Sequence, residues 1–284
     1  MKYLRILSAT ALLALSTLFT SAEQLRIMSF NIRYDNPADG KNNWRLRKDL
    51  AANAINFYDA DIVGTQEVLK NQLDDLVTRM PRYAMTGVGR DDGKDQGEFA
   101  ALWWKRDKFD LIDSGNFWLS STPEEPGSLG WDGACVRIAT WAILRHKESG
   151  KEIFALNTHL DHVGQQARSE GVSLILDRLN KLSGGRPVVV TGDFNSTPDS
   201  DVVAHITDPA APCRLTDARS NAPIVYGPAW TYHDFFSLPY DKRELIDYVF
   251  TGNGLKAISY GVLAETNEDS CLSDHCQVLV NAEF

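Results

Sequence analysis

The stretch VVVTGDFNSTPDS, residues 188–200, decides how the rest of the chain is read. Three valines run into Thr191 and Gly192; then come Asp193, one aromatic and Asn195, and Ser-Thr-Pro closes the segment. A continuous β-branched run bounded by turn residues reads as a buried strand. This strand ends by delivering an acid and an amide, two residues apart, into a loop.

Working outward, strands and helices alternate on both sides of it. Upstream, Gln165 to Leu182 places Val172, Ile175, Leu176 and Leu179 on one helical face and stops before Gly184-Gly185. Before that helix, Ile138 to His146 and Glu152 to Leu160 read as a hairpin around Glu148-Ser149-Gly150. Further back lie a strand from Leu25 to Ile32, a helix from Trp44 to Tyr58 and a strand from Ile62 to Val68. A short helix from Asn71 to Met80 is stopped by Pro81, and Phe99 to Trp104 and Asn116 to Leu119 are strand-like. Downstream, Leu245 to Thr251, Leu255 to Val262 and Gln277 to Val280 complete the set. The list fits a four-layered α/β sandwich, two packed mixed sheets flanked by helices.

Several other polar residues stand where an apolar strand ends: Asn31, Glu67, His159, Asp247 and the Asp274-His275 pair. One such residue reads as a turn former or a satisfied core group. Six sites of carboxylate, amide and imidazole at strand ends read as a ligand site, because that is where α/β folds assemble one. Oxygen donors such as Glu67 and Asn31 suit Mg²⁺, whereas the scattered His and the absence of CxxC give no zinc motif. Asp247 with His275 is an acid that can orient an imidazole, and Asp193 beside Asn195 can position a water. Together these groups suit an in-line phosphoryl transfer.

Bulk properties narrow the partners. The 284 residues, 43% hydrophobic, suffice for a core, and no linker, repeat or second core interrupts them. Lys2 and Arg5, an apolar run from Ile6 to Phe19 and Thr20-Ser21-Ala22 read as a signal peptide, residues 1–22, cleaved after Ala22. The expectation is an exported protein, periplasmic or secreted, with one catalytic domain over 23–284 and no stable membrane insertion. The leader carries two bases and no acid, so its removal takes the formal charge from -9 to -11. That balance opposes a protein that grips long polyanions. Of the four cysteines, Cys271 and Cys276 are close enough in sequence to clamp the loop around Asp274-His275, as buried thiols or as a disulfide.

MSFNIR (28–33), TQEV (65–68), NTHLD (157–161), GDFN (192–195), IDYVF (246–250) and SDH (273–275), in this order, resemble the endonuclease/exonuclease/phosphatase superfamily with its deoxyribonuclease-I-like fold. The resemblance covers about the whole mature chain. It implies a Mg²⁺-dependent enzyme, with Mn²⁺ as an alternative, that cleaves phosphodiesters or phosphomonoesters. It implies Glu67 as metal-binding acid with Asn31 beside it, and Asp274 as the acid near the metal. Asp193 is implied to orient or deprotonate the attacking water, and Asn195 to hold Asp193 and the phosphate. His275, with Asp247 as partner, and His159 are the implied phosphate-facing imidazoles. The general base is left between Asp193 and the Asp247–His275 pair.

Outside these motifs, Arg137 is a candidate for substrate phosphate, and His162 and His233 for the cleft rim. Trp131 and Trp230, in loops, are candidates for stacking on a sugar or base. The polar loop RDDGKDQGE, residues 90–98, reads as a solvated surface loop. The expected substrate is a small phosphodiester or sugar phosphate handled by a monomer. A weakly specific secreted nuclease and a non-catalytic binding protein on the same fold are the competing readings.

Overall fold

The computed structural model describes residues 23–211, 213–267 and 270–284; the expected leader, 1–22, lies outside them. In chain order the strands are β1 (Gln24–Asn31), β2 (Ile62–Val68), β3 (Tyr83–Thr86), β4 (Phe99–Lys105), β5 (Phe109–Trp118), β6 (Ile138–His146), β7 (Glu152–His159) and β8 (Val188–Asp193). They continue as β9 (Leu215–Asp217), β10 (Val225–Tyr226), β11 (Asp247–Gly252), β12 (Lys256–Leu263), β13 (Thr266–Asn267), β14 (Ser270–Cys271) and β15 (Gln277–Glu283). The α-helices are α1 (Trp44–Tyr58), α2 (Lys70–Arg79), α3 (Gln165–Leu182), α4 (Asp201–Ile206) and α5 (Ala218–Asn221). None of the described helices is long and apolar enough to cross a membrane.

The strands make a seven-stranded sheet, β10-β12-β15-β1-β2-β4-β3, and a six-stranded sheet, β5-β6-β7-β8-β11-β9, with β13 and β14 as a separate ribbon. Both large sheets are mixed. β1 is parallel to β2 and antiparallel to β15; β8 is parallel to β7 and antiparallel to β11.

Period-2 alternation of side chains explains the layers. Along β8, Val189 points between the sheets, where it joins Ile27 and Ile62 of the first and Leu144 and Ala155 of the second. Val188 and Val190 point the other way and pack with Val172, Ile175 and Leu179 of α3 and Val203 of α4. On the far side, Met28, Phe30 and Val63 meet Ala51 and Ile55 of α1 and Leu73 and Leu76 of α2. Helices, sheet, sheet and helices are the four layers expected from the sequence.

The sheets are pinned to each other just below the strand ends. Asn157 of β7 donates to the carbonyls of Thr65 and Ala101 at 2.9 and 3.0 Å, and accepts from Gln66 at 2.7 Å and Thr191 at 3.0 Å. Gly64 permits this approach: a Cβ there would lie 2.0 Å from Thr191 Oγ1. Every residue of the seam is buried and makes at least one of these bonds, Gln66 Oε1 alone being left without a partner among the described residues, so the seam fixes the relative register of the two sheets.

Two local expectations are revised. β5 runs from Phe109, well before Asn116; a bulge between Leu111 and Asp113 and its exposed charges hide the edge strand from a hydrophobic pattern. β8 extends two residues beyond Thr191 to Asp193. Of the two alternatives for Cys271 and Cys276, the structure has buried free thiols.

Candidate active site

The strand register places the site. Asp193, last residue of β8, pairs across to His159, last of β7, and to Asp247, first of β11. From the other sheet, β1 ends at Asn31 opposite Gln66, which brings Glu67 alongside. Asp274 and His275 lead into β15, the antiparallel neighbour of β1. Six elements therefore present their chemistry at one end of the sandwich. Glu67 and Asn195 hold positive φ, 62° and 46°, in the left-handed region. Such backbone costs about 1–3 kcal/mol per residue and is found where a side chain must be turned to a purpose.

Asp193 is the hub. Its Oδ1 accepts from the Asn195 backbone N–H at 2.9 Å and its Oδ2 from Asn31 Nδ2 at 3.0 Å. His159 Nε2 and His275 Nε2 stand 3.5 and 3.8 Å from the same Oδ2. Burial first, and then the neighbouring Asp247 carboxylate, push the Asp193 carboxyl up to about 7. Phe194, between the two polar residues, turns back into the α3–α4 core against Tyr248 and Phe250.

The two imidazoles differ. His275 Nδ1 lies 2.8 Å from Asp247 Oδ2. Burial opposes its charge, but Asp247, Asp193 and Asp274 prevail and hold its pKa well above the ordinary 6.5. His275 is thus an imidazolium with Nε2–H facing the cleft. His159 is held well below 6.5 by burial, Arg137 and Arg90. Its tautomer follows from Asn195, whose Nδ2 donates to the Leu160 carbonyl at 2.9 Å and to His159 Nε2 at 3.1 Å. A carbonyl can only accept, so the amide orientation is fixed, Nε2 is the acceptor and Nδ1 carries the proton.

Glu67 accepts from Asn31 Nδ2 and the Tyr34 backbone N–H, each at 3.0 Å. Desolvation works against its charge, yet the His275 imidazolium and these two donors keep its pKa below the ordinary carboxylate value. Asp274, raised to about 6 by burial, lies 3.6 Å from Arg33 Nη1. Asp193, Asp247 and His275 offer ligand atoms within 4.8 Å of one another, but an imidazolium has no lone pair to give. Asp247 Oδ1 is buried without a partner, and no Lys or Arg nitrogen is in ion-pair range of Asp193, Asp247 or Glu67 among the described residues. A cluster of hard oxygen donors short of cations fits a Mg²⁺-type ion. Asn31 turns its Nδ2 toward Glu67 and Asp193, so as held here it ties those carboxylates together.

Glu67, His159, Asp193, Asn195, Asp274 and His275 line a cleft of about 610 Å³, with Asn31 and Asp247 buried behind them. Arg137 and His162 also line it, Arg137 Nη2 3.1 Å from His162 Nδ1. Trp230 and His233 do not. Tyr232 bridges to Glu244 and His275, and its ring enters the cleft 4.9 Å from that of His275. Alternation then turns Thr231 and His233 inward: His233 Nδ1 accepts from Phe236 N at 2.9 Å, and Trp230 joins the inter-sheet core beneath Arg243.

Sequence reasoning missed Arg90 and Glu98. Their loop is folded on itself, with Gly89 N donating to Lys94 O and Arg90 N to Glu98 O, so only its tip is solvated. Its two ends meet in the cleft wall, Arg90 Nη1 2.6 Å from Glu98 Oε2. The signal was there as opposite charges eight apart around glycines. Asp161 is also structural: its carboxylate accepts from the N–H groups of Ala134, Cys135, Val163 and Gly164 at 2.7–3.2 Å, which outweigh burial and hold its pKa far below normal. The nearby Cys135–Asp161–His162 grouping is accordingly a loop cap.

The sequence profile of the Endonuclease/Exonuclease/phosphatase family matches residues 28–275. An endonuclease/exonuclease/phosphatase from Bacteroides vulgatus is 45% identical with a TM-score of 0.89, over 92% of this chain and 99% of that one. The mannosyl-6-phosphatase of Bacteroides thetaiotaomicron VPI-5482 is 34% identical with a TM-score of 0.85, over 92% of this chain and all of that one. Nocturnin of Mus musculus is 27% identical over 212 residues, 66% of this chain; the chain spans about half the length of the curated relatives it matches, 46% here. The chain belongs to the Endonuclease/Exonuclease/phosphatase family, whose members are metal-dependent phosphoric ester hydrolases.

Proposed function

We propose that the protein is an exported, Mg²⁺-dependent phosphoesterase that hydrolyses a phosphate ester of a small, sugar-like substrate by in-line attack of a water. The observation that carries this reading is the meeting of Asp193, His275 and Glu67, from separate strands, in one cleft of about 610 Å³. That volume is within the ~300–1,000 Å³ of small-ligand sites. The formal charge of -9 disfavours a nucleic-acid polymer. Similarity to a mannosyl-6-phosphatase supports a sugar phosphate monoester, and the range of the family keeps a small diester as the second reading.

Glu67 and Asp274, with Asn31 supporting, would hold the ion, which when bound polarises a phosphoryl oxygen. Mn²⁺ suits the same oxygens. Asp193, raised to about 7, is matched to taking a proton from water near neutral pH. Asn195 fixes its carboxylate, and the His275 imidazolium donates from Nε2 to the charge that develops on the phosphate. Asp247 keeps that ring charged and oriented. His159 shapes the phosphate side of the cleft. Export through residues 1–22 would leave a monomeric 23–284 domain in the periplasm or medium, without membrane insertion.

The test is hydrolysis by purified protein of a hexose 6-phosphate, an aryl monoester, a bis-aryl diester and single-stranded DNA, with Mg²⁺ and with chelator. Metal-dependent cleavage of the sugar monoester above the others is expected. DNA cleavage far above the small esters would promote a nuclease, and no turnover of any would overturn the enzyme reading.

A further inference from the structure

One wall of the cleft carries polar groups that the reaction leaves unused. Arg137 is only 6% exposed, yet its Nε and Nη1 have no hydrogen-bond partner among the described residues. Arg90 Nε and His159 Nδ1, which carries its ring proton, are buried and unpartnered in the same place. They border a recess of about 10 Å³ beside the cleft, bounded also by Glu67 and Glu98 and floored by Phe99, Ala100 and Ile138. That is room for about one oxygen atom. Buried donors left without acceptors are costly, and such a concentration of them points to a ligand.

The wall also says which oxygen. Glu98 Oε2 lies 2.6 Å from Arg90 Nη1, 4.0 Å from Arg137 Nη1 and 3.9 Å from His159 Nδ1. Arg137 Nε stands 3.8 Å from Asp161 Oδ2. Each guanidinium thus already has a carboxylate, and no net charge remains to attract a second anion. A phosphate or carboxylate oxygen only accepts, and would face Glu98 and Glu67. A hydroxyl both accepts and donates, which is what a recess lined by N–H groups and a carboxylate requires.

We infer that Arg137, Arg90 and Glu98 form a hydroxyl-recognition subsite that seats one ring hydroxyl of a sugar phosphate beside its reacting phosphate. The inference rests on the small-sugar-phosphate reading above and names the residues that would make the enzyme select a sugar over a plain ring. Arg137 is the specificity residue, because its Nε–Nη2 edge is held from behind by Asp161 and His162 and its free Nη1 is left on the Glu98 side of the recess.

The experiment compares a hexose 6-phosphate with (tetrahydropyran-2-yl)methyl phosphate, which has the same ring and ester but no hydroxyls, on purified wild type, Arg137→Lys and Glu98→Gln. Sites built to bond a hydroxyl discriminate strongly against analogues lacking it. Wild type is expected to favour the hexose ester in kcat/KM by about a hundredfold. Each variant is expected to reduce that ratio at least tenfold, whatever it does to the absolute rates. Equal loss on both esters would mean a structural or water-filled recess and would overturn the inference, as would a wild type indifferent to the hydroxyls. A hexose bisphosphate preferred over the monophosphate, with that preference lost in Arg137→Lys, would make it an anion site and also overturn it. Failure to cleave either ester would instead defeat the functional reading itself. Glu98→Gln keeps shape and fills the same space, so a folding defect in Arg137→Lys leaves the question answerable.

Discussion

The two ends of β2 hold acids in opposite circumstances. Asp61, just before the strand, is 2.9 Å from Lys105 Nζ and 3.0 Å from Lys108 Nζ, and accepts from Arg26 N at 2.9 Å. Lys105, itself buried, spans this acid and Asp59. At the other end, Glu67 and Asp193 share one amide, and the nearest cation to Asp193 is an imidazolium that Asp247 keeps charged. The difference is pairing: one end settles its acids with lysines and closes, and the other leaves them for an ion and a substrate. Stability and chemistry are thus separated along a single strand.

The contrast is sharpest in substitutions that remove charge and keep shape. Asp193→Asn should lower kcat/KM by about a thousandfold or more, the range expected for loss of a proton acceptor. It should leave Tm unchanged or raised, since it relieves repulsion from Asp247. A collapse in Tm with preserved turnover would break the comparison. Asp61→Asn should do the reverse. It strands a buried ammonium that Asp59 compensates only in part, and is expected to cost about 2–3 kcal/mol in urea unfolding with turnover per folded molecule unchanged.

A smaller effect tests whether pairing, rather than place, is what matters. Asp161 lies buried behind Arg137 of the cleft wall and is satisfied by four backbone donors. Its folded pKa is depressed below the ordinary 3.8, so its stabilisation is complete above that value and is lost as pH falls through the folded pKa. Asp161→Asn should therefore cost about 1–2 kcal/mol near neutrality, by denaturant titration, and progressively less as the wild type is acidified. A gap that widens in acid would contradict this.

The fold was largely legible because its inner strands are apolar, regular and bounded by turn residues, as Val188–Asp193 illustrates. The catalytic candidates were legible because each interrupts such a strand at its end. Short or edge strands such as β3, β9 and β10 were hidden by length and exposure. Arg90 and Glu98 were hidden because a charged glycine-bearing loop resembles a solvated one until its ends are known to meet. Trp230 and His233 were misplaced for a related reason. The loop carrying them forms a bridge through Tyr232, which turns the adjacent His233 away from the cleft, whereas Trp230 precedes the bridge and is drawn into the inter-sheet core.

The central claim is that the acids at the end of β2 are left unpaired for a metal. The most direct measurement is kcat/KM for phosphate ester hydrolysis against free Mg²⁺, in wild type and Glu67→Gln. The account predicts negligible activity in chelator, saturation with Mg²⁺, and a midpoint raised at least about tenfold in the variant, as expected when a ligand carboxylate is lost. Turnover indifferent to chelator, or a midpoint that Glu67→Gln does not move, would contradict it.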